Sequence, residues 1–251
     1  MRERWGERLP NRKILYGAAS AVVLVCLIMT YTRGAWLGVM AGMCIYLMPK
    51  VGRLKTRVTR RGAIVAGLAV CLSIPVALAV VRDVGLGHLP ERISARVSAR
   101  MEALWDLSKT EPFRLAQYRT TLNVLREHPF LGVGFGNFTR LFDRYKDAST
   151  PSPVSYIART TENMYLMLAC ETGILGLIAA LALFVAIVWV VYRGYRSAAP
   201  GPDRDLLLAL LAAFCGFLVN MITWDALNQP TIRMTFWMLV GMAFSVRTLK
   251  R

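Results

Sequence analysis

Long apolar runs alternate with short basic turns along this chain, and the alternation is broken once by a long polar stretch. The apolar runs cover about 14–32, 34–49, 62–81, 163–192, 206–224 and 232–246. Nearly uncharged runs of roughly 18 or more residues are long enough to cross a bilayer as helices. The pattern predicts an all-α, polytopic integral membrane bundle of about six transmembrane helices, forming one membrane domain over 1–251. The fourth run carries Glu162, Asn163 and Glu171 in its first turns, so its membrane-buried part is expected to begin near Gly173. Gly34, Gly38 and Gly42 recur every four residues on the second run, a stripe of small residues that lets another helix approach closely.

The polar stretch, 82–162, has helical periodicity of its own. Ile93, Val97, Met101 and Leu104 share one face over 91–108, with Arg92, Arg96 and Arg100 beside them, as in an amphipathic helix lying at a membrane interface. Pro112 is read as the start of a second helix, with Leu115, Tyr118, Leu122 and Leu125 on one stripe, ending near His128-Pro129. A glycine-dense turn follows: Pro129-Phe130-Leu131-Gly132-Val133-Gly134-Phe135-Gly136-Asn137-Phe138.

Charge sets the topology. The chain has 31 Lys and Arg against 15 Asp and Glu, a formal net charge of +16. The excess is not a nucleic-acid footprint, because it alternates between loops. Arg2, Arg4, Arg8, Arg12 and Lys13 precede the first run, and Lys50, Arg53, Lys55, Arg57, Arg60 and Arg61 lie between the second and third. Arg193, Arg196 and Arg204 follow the fourth, and Arg247, Lys250 and Arg251 the sixth, whereas the alternate short turns hold only Arg33 and Arg233. This positive-inside pattern places both termini in the cytoplasm of a multi-pass protein. The 82–162 loop then faces outward, and its length exempts its basic residues from the rule. They either rest on lipid headgroups or serve an anionic ligand.

Few motifs carry chemistry. The Gly132-Val133-Gly134-Phe135-Gly136 turn lacks the strand–turn–helix setting of a dinucleotide fingerprint. The five cysteines, Cys26, Cys44, Cys71, Cys170 and Cys215, have no metal-ligand spacing, and neither His88 nor His128 has a convincing companion ligand. No metal and no cofactor is expected. What remains are ionisable groups at the outer boundary. Arg33 interrupts two apolar runs, where a charge must snorkel, pair or bind a ligand. Arg114 and Arg119 lie on the second loop helix, with plain solvation as the alternative. Glu162 stands directly before Asn163 at the head of the fourth run, where an acid is also favoured by the helix dipole.

Five segments in order carry a family resemblance. They are Thr32-Arg33-Gly34-Ala35-Trp36, then Arg114, the His128–Phe138 turn, Glu162-Asn163-Met164-Tyr165-Leu166, and Glu171-Thr172-Gly173-Ile174-Leu175-Gly176. Together they resemble the C-terminal portion of the O-antigen ligase and polymerase superfamily, over about residues 14–192. The resemblance implies a bacterial inner-membrane glycosyltransferase of polysaccharide or lipopolysaccharide assembly. Its donor would be a polyprenyl-diphosphate-linked glycan, and its acceptor a hydroxyl on a glycan or lipid at the periplasmic face. It implies Glu162, Arg33 and Arg114 as catalytic residues, and Arg119, Gly132, Gly134, Gly136 and Asn163 as substrate-binding ones. Ligases of the family commonly carry His where this chain has Glu162, a departure toward the polymerase-like branches. Members usually have ten or more membrane helices, so a truncated product, half of a split enzyme and a shorter relative all fit, and a second membrane subunit joins the lipid bilayer among the partners considered.

Two other classes compete with the enzyme. A non-catalytic membrane partner in glycan assembly agrees with the missing helices. A transporter has less in its favour, since mid-helix charges and inverted repeats are lacking in the sequence.

Overall fold

A computed structural model describes residues 12–29, 32–52, 107–150, 154 and 159–248. Among them are seven α-helices, one short 3-10 turn and no strand: α1 (Arg12–Met29), α2 (Arg33–Gly52), α3 (Leu107–Glu127), α4 (Phe138–Tyr145), α5 (Met164–Ser197), α6 (Pro202–Asn220), the 3-10 turn Ala226–Asn228, and α7 (Pro230–Thr248). The all-α expectation holds for these residues. The third apolar run, 62–81, and residues 91–106 of the expected interfacial helix lie outside them.

Thr32, at the end of the expected first run, is not helical, and Arg33 already belongs to α2. The second loop helix is already formed at Leu107, so it starts before Pro112 and not with it. A proline's fixed φ is itself helical, so near the start of a helix it costs a hydrogen bond without ending the helix. The face that α3 buries also differs from its leucine stripe. Leu115 and Leu122 are exposed, while Ala116, Gln117, Thr120, Thr121 and Val124 are buried. Thr120 and Thr121 donate their hydroxyls to the carbonyls of Ala116 and Gln117, both at 2.9 Å, which makes a polar buried face tolerable.

Two apolar cores form. One joins α5, α6 and α7 around Phe184, Phe214, Phe236, Leu211 and Val191, with Phe236 edge-on to Phe184 and Phe214 and stacked on Phe217. The other joins α3, α4 and the head of α5 through Val124, Phe138, Phe142, Tyr145, Met167 and Cys170. The spacing of Phe138, Phe142 and Tyr145 on the short α4 puts all three on one face, so a helix of eight residues is held by packing rather than by propensity.

Helix α2 lies along α6 on the glycine stripe. A Cβ at Gly38 would stand 2.6 Å from the carbonyl oxygen of Gly216, and one at Gly216 would stand 2.5 Å from that of Gly38. Both backbones therefore touch where neither helix has a side chain, the geometry of small-residue packing between membrane helices.

Among the described residues one helix, α5, is long and apolar enough to cross a membrane, and only 17% of its most apolar stretch is buried within the protein. A core helix of a soluble domain would be mostly covered. Its stretch from Ile174 to Ser197 is about 36 Å long at about 1.5 Å per residue, enough for a hydrocarbon core of about 30 Å. α1, α5 and α7 all turn large apolar side chains outward, among them Val22, Val185 and Met234.

Candidate functional site at the head of helix α5

The head of α5 is built by a short run of local hydrogen bonds. Asn163 is its N-cap, and its side-chain oxygen accepts from the N–H groups of Tyr165 and Leu166 at 3.0 and 3.1 Å. Thr161 donates its hydroxyl to the Asn163 carbonyl at 2.6 Å, and the Glu162 N–H donates to the Thr160 hydroxyl at 3.1 Å. Glu162, held between them, has φ of 44° and is the one non-glycine residue with positive φ among the described residues. A non-glycine residue in the left-handed region carries strain of about 1–3 kcal/mol, which persists only where the surroundings over-determine it.

This conformation turns the Glu162 side chain to α3. The Nε–H of Arg114 donates to its Oε2 at 2.7 Å. Both side chains are partly exposed, 28% for Arg114 and 35% for Glu162, so the pair remains open to a ligand from solvent. Arg119 lies five residues further along α3, around to another sector of the helix. It is exposed and near enough to Asp147 to help lower that carboxyl below its ordinary range, after the larger effect of the hydrogen bonds from Ser149.

Arg33 is the first residue of α2 and half-buried. A chain of contacts brings it to the same end of the bundle. Gly34 abuts the Thr223 side chain so closely that a Cβ there would overlap it. Two residues before Thr223, the Met221 carbonyl accepts the N–H of Met164 at 2.9 Å, which joins the end of α6 to the head of α5 beside Glu162.

The glycine turn sits on a break in α5. At Gly173, φ is 68° and ψ is −175°, outside the helical region. Such a break strips Cys170 and Glu171 of their carbonyl partners and Ile174 of its acceptor. The turn supplies all three. Val133 donates to the Cys170 carbonyl, Gly134 donates to that of Glu171, and Ile174 donates to the Pro129 carbonyl, each at 2.9 Å. The approach needs glycine on both sides. A Cβ at Gly132 would lie 2.5 Å from the Cys170 carbonyl oxygen, and one at Gly173 would overlap the Phe130 carbonyl. At Gly136 the space is open.

Glu171 completes the junction. It is buried, its carboxyl lies near the backbone N–H groups of Gly136 and Phe138 at the start of α4, and its Oε1 has no hydrogen-bond partner. Asn137, the N-cap of α4, gives no side-chain cap, since its amide is turned back to the Val133 carbonyl at 3.1 Å. A carboxyl from α5 thus stands near a helix N-terminus, where burial pushes its pKa up and the nearby N–H donors only partly offset the rise. His128 is exposed and lies 3.0 Å from the Tyr145 hydroxyl. Among the described residues, no group of three or more His, Cys, Asp or Glu gathers as a metal site.

The stretch that holds these parts, an arginine heading α2, an arginine on α3, a glycine turn, then an acid and an asparagine capping α5, falls within a match to known proteins. A family model described as O-antigen ligase matches residues 18–181, more than half of the chain. The chain belongs to the O-antigen ligase family. A search of curated proteins finds no match. The O-antigen ligase family consists of membrane proteins of glycan assembly, of the ligase and polymerase class. The matched region holds Arg33, Arg114, the glycine turn and Glu162, and it ends within α5. Beyond it, the connection between α6 and α7 still contributes to the same end of the bundle through Thr223, the Met221 carbonyl and Asp225. Asp225 is buried and accepts the Asn228 side-chain amide at 3.3 Å. Sequence reasoning passed over this Thr223–Pro230 stretch, although its polar residues between two apolar runs mark it as more than a tight turn.

Proposed function

We propose that the chain is a membrane glycosyltransferase of the O-antigen ligase or polymerase type, embedded as a polytopic bundle in a bacterial inner membrane with the 82–162 loop outside the cytoplasm. It transfers a glycan from a polyprenyl-diphosphate carrier to a hydroxyl acceptor. The observation that carries this reading is the Arg114–Glu162 pair, a cation and a carboxylate 2.7 Å apart and open to solvent, at the head of a helix apolar enough to cross the bilayer.

In this mechanism the acceptor hydroxyl attacks the anomeric carbon of the donor sugar. The bond from that carbon to the diphosphate oxygen breaks, and the hydroxyl proton passes to Glu162. Glu162 keeps Oε2 on Arg114 and uses Oε1 as the base. Arg114, through its remaining N–H groups, and Arg33 neutralise the departing diphosphate by charge-assisted hydrogen bonds. Arg119 adds a peripheral cation, Asn163 fixes the helix start that aims Glu162, and Gly132, Gly134 and Gly136 let backbone form the wall of the site. The arginines supply the charge neutralisation that a metal provides elsewhere. The lipid tail lies among helices in the bilayer.

The test is a transfer assay on the full chain in lipid vesicles, with a polyprenyl-diphosphate-linked oligosaccharide and a panel of acceptors. Product that is lost in both Arg114→Ala and Glu162→Gln supports the assignment, and full transfer by both at normal protein levels overturns it. No product from a well-folded chain favours the second reading, a non-catalytic partner or half-enzyme, for which the resemblance to only the C-terminal portion of longer relatives speaks.

A further inference from the structure

The glycine turn presents a feature that the proposed reaction does not use. Phe130, Leu131 and Phe135 are 66%, 75% and 71% exposed, although they are large apolar side chains. Single exposed apolar residues are ordinary, but three on one short turn are a patch that asks for an apolar neighbour.

The position of the patch says which neighbour. Pro129 is tied to Ile174 by the 2.9 Å bond from the Ile174 N–H, and Gly173 is in backbone contact with Phe130. Phe130 and Leu131 therefore sit where the apolar stretch of α5 begins, and the surface continues into the exposed side chains of Ile174, Leu175 and Ile178 on that helix. If α5 meets lipid along this face, the turn meets it as well. Part of the turn's backbone suits such a place: Gly132 donates to the His128 carbonyl at 3.2 Å, and Val133 and Gly134 donate to α5, so the remaining N–H groups hold the turn at the hydrated interface and not in the hydrocarbon core. Exposed Arg126 and Arg140 bracket the turn in sequence, as cations suited to lipid headgroups.

We propose that the Pro129–Phe135 turn is a membrane wedge, in which Phe130, Leu131 and Phe135 insert into the lipid interface at the end of α5 that carries the site. The inference rests on the bilayer setting of α5 and not on the reaction, so its failure and that of the glycosyltransferase reading are distinguishable. The wedge fixes the depth of the Glu171 junction relative to the lipid, and through α3 and α4 the height of the Arg114–Glu162 pair above it.

The experiment places the photo-reactive residue p-benzoylphenylalanine at 130, 131 or 135 of the full chain in phospholipid vesicles. Position 185, exposed midway along α5, serves as the lipid-facing reference, and position 148, exposed in the polar loop, as the aqueous one. On irradiation, 130, 131 and 135 are expected to give lipid adducts in yield comparable with 185 and several-fold above 148. Yields at the level of 148 overturn the proposal, because the turn then faces water. Adducts to a second copy of the chain in place of lipid overturn it too, since the patch is then a protein interface.

Discussion

The Nε–H of Arg114 and the Oε2 of Glu162 meet at 2.7 Å across 48 residues of sequence, one on a loop helix and the other on the strained residue that precedes α5. Backbone strain of this kind gathers at functional sites. Partly exposed ion pairs contribute about 0–1 kcal/mol to folding. Glu162→Gln is therefore expected to leave thermal unfolding nearly unchanged while lowering glycan transfer by about 10²–10⁴-fold, the usual worth of a positioned base. Transfer kinetics and a melting curve on the same preparation check both halves. A large fall in melting temperature with transfer lost in proportion would reassign the pair to structure.

Gly173 is expected to be the most sensitive glycine of the junction. Its φ of 68° and ψ of −175° belong to a region essentially reserved for glycine, and a Cβ would run into the Phe130 backbone. Gly173→Ala should cost about 1–3 kcal/mol from backbone strain alone and release the turn from α5. Gly136→Ala, with open space around it, carries the left-handed penalty of about 1–2 kcal/mol without a clash. Limited proteolysis at the turn, compared between the two variants, reads the difference: cleavage should accelerate much more in Gly173→Ala.

What the sequence made legible followed from periodicity. The second, fourth, fifth and sixth apolar runs each fall on a helix. The expected start of the membrane-buried part near Gly173 coincides with the break in α5. Tertiary pairing was not legible. Nothing in the spacing of Arg114 and Glu162 marks them as neighbours, and Glu171 read as one more polar residue in a first turn. The buried face of α3 was hidden for a different reason. Threonines that satisfy their hydroxyls on their own helix pack like small apolar residues, and a leucine stripe is then free to face outward. The six-helix bundle rests on one helix that passes by length and composition among the described residues, so the remaining spans stay with the proposal.

Glu171 gives a prediction that separates hydrogen bonding from charge. Its carboxylate faces the Gly136 and Phe138 N–H groups, which have no capping side chain of their own. Glu171→Ala removes the acceptor facing the N–H of buried Phe138 and is expected to destabilise by about 1–3 kcal/mol. Glu171→Gln retains an acceptor oxygen and should recover most of that loss. Thermal unfolding of both variants in the same detergent checks the order, and equal losses would point to the charge instead.

The contact between α2 and α6 sets the position of Arg33, so a change far from the charged groups should reach the site. Gly38 and Gly216 face each other backbone to backbone, and a Cβ at either would stand 2.5–2.6 Å from the opposing carbonyl oxygen. Gly216→Ala cannot be relieved by turning a side chain, because the obstacle is main chain, and overpacking of this kind costs about 1–3 kcal/mol. The two helices must separate or slide, and Gly34, packed on Thr223, moves with them. Transfer should therefore fall in Gly216→Ala even where the protein still inserts and accumulates, with the loss appearing in KM for the diphosphate donor if Arg33 grips it. Gly241→Ala on α7, where a Cβ meets nothing within 4 Å, is the matched control and should be silent in both stability and transfer. Equal behaviour of the two variants would show that the α2–α6 contact tolerates more space than its backbone spacing implies.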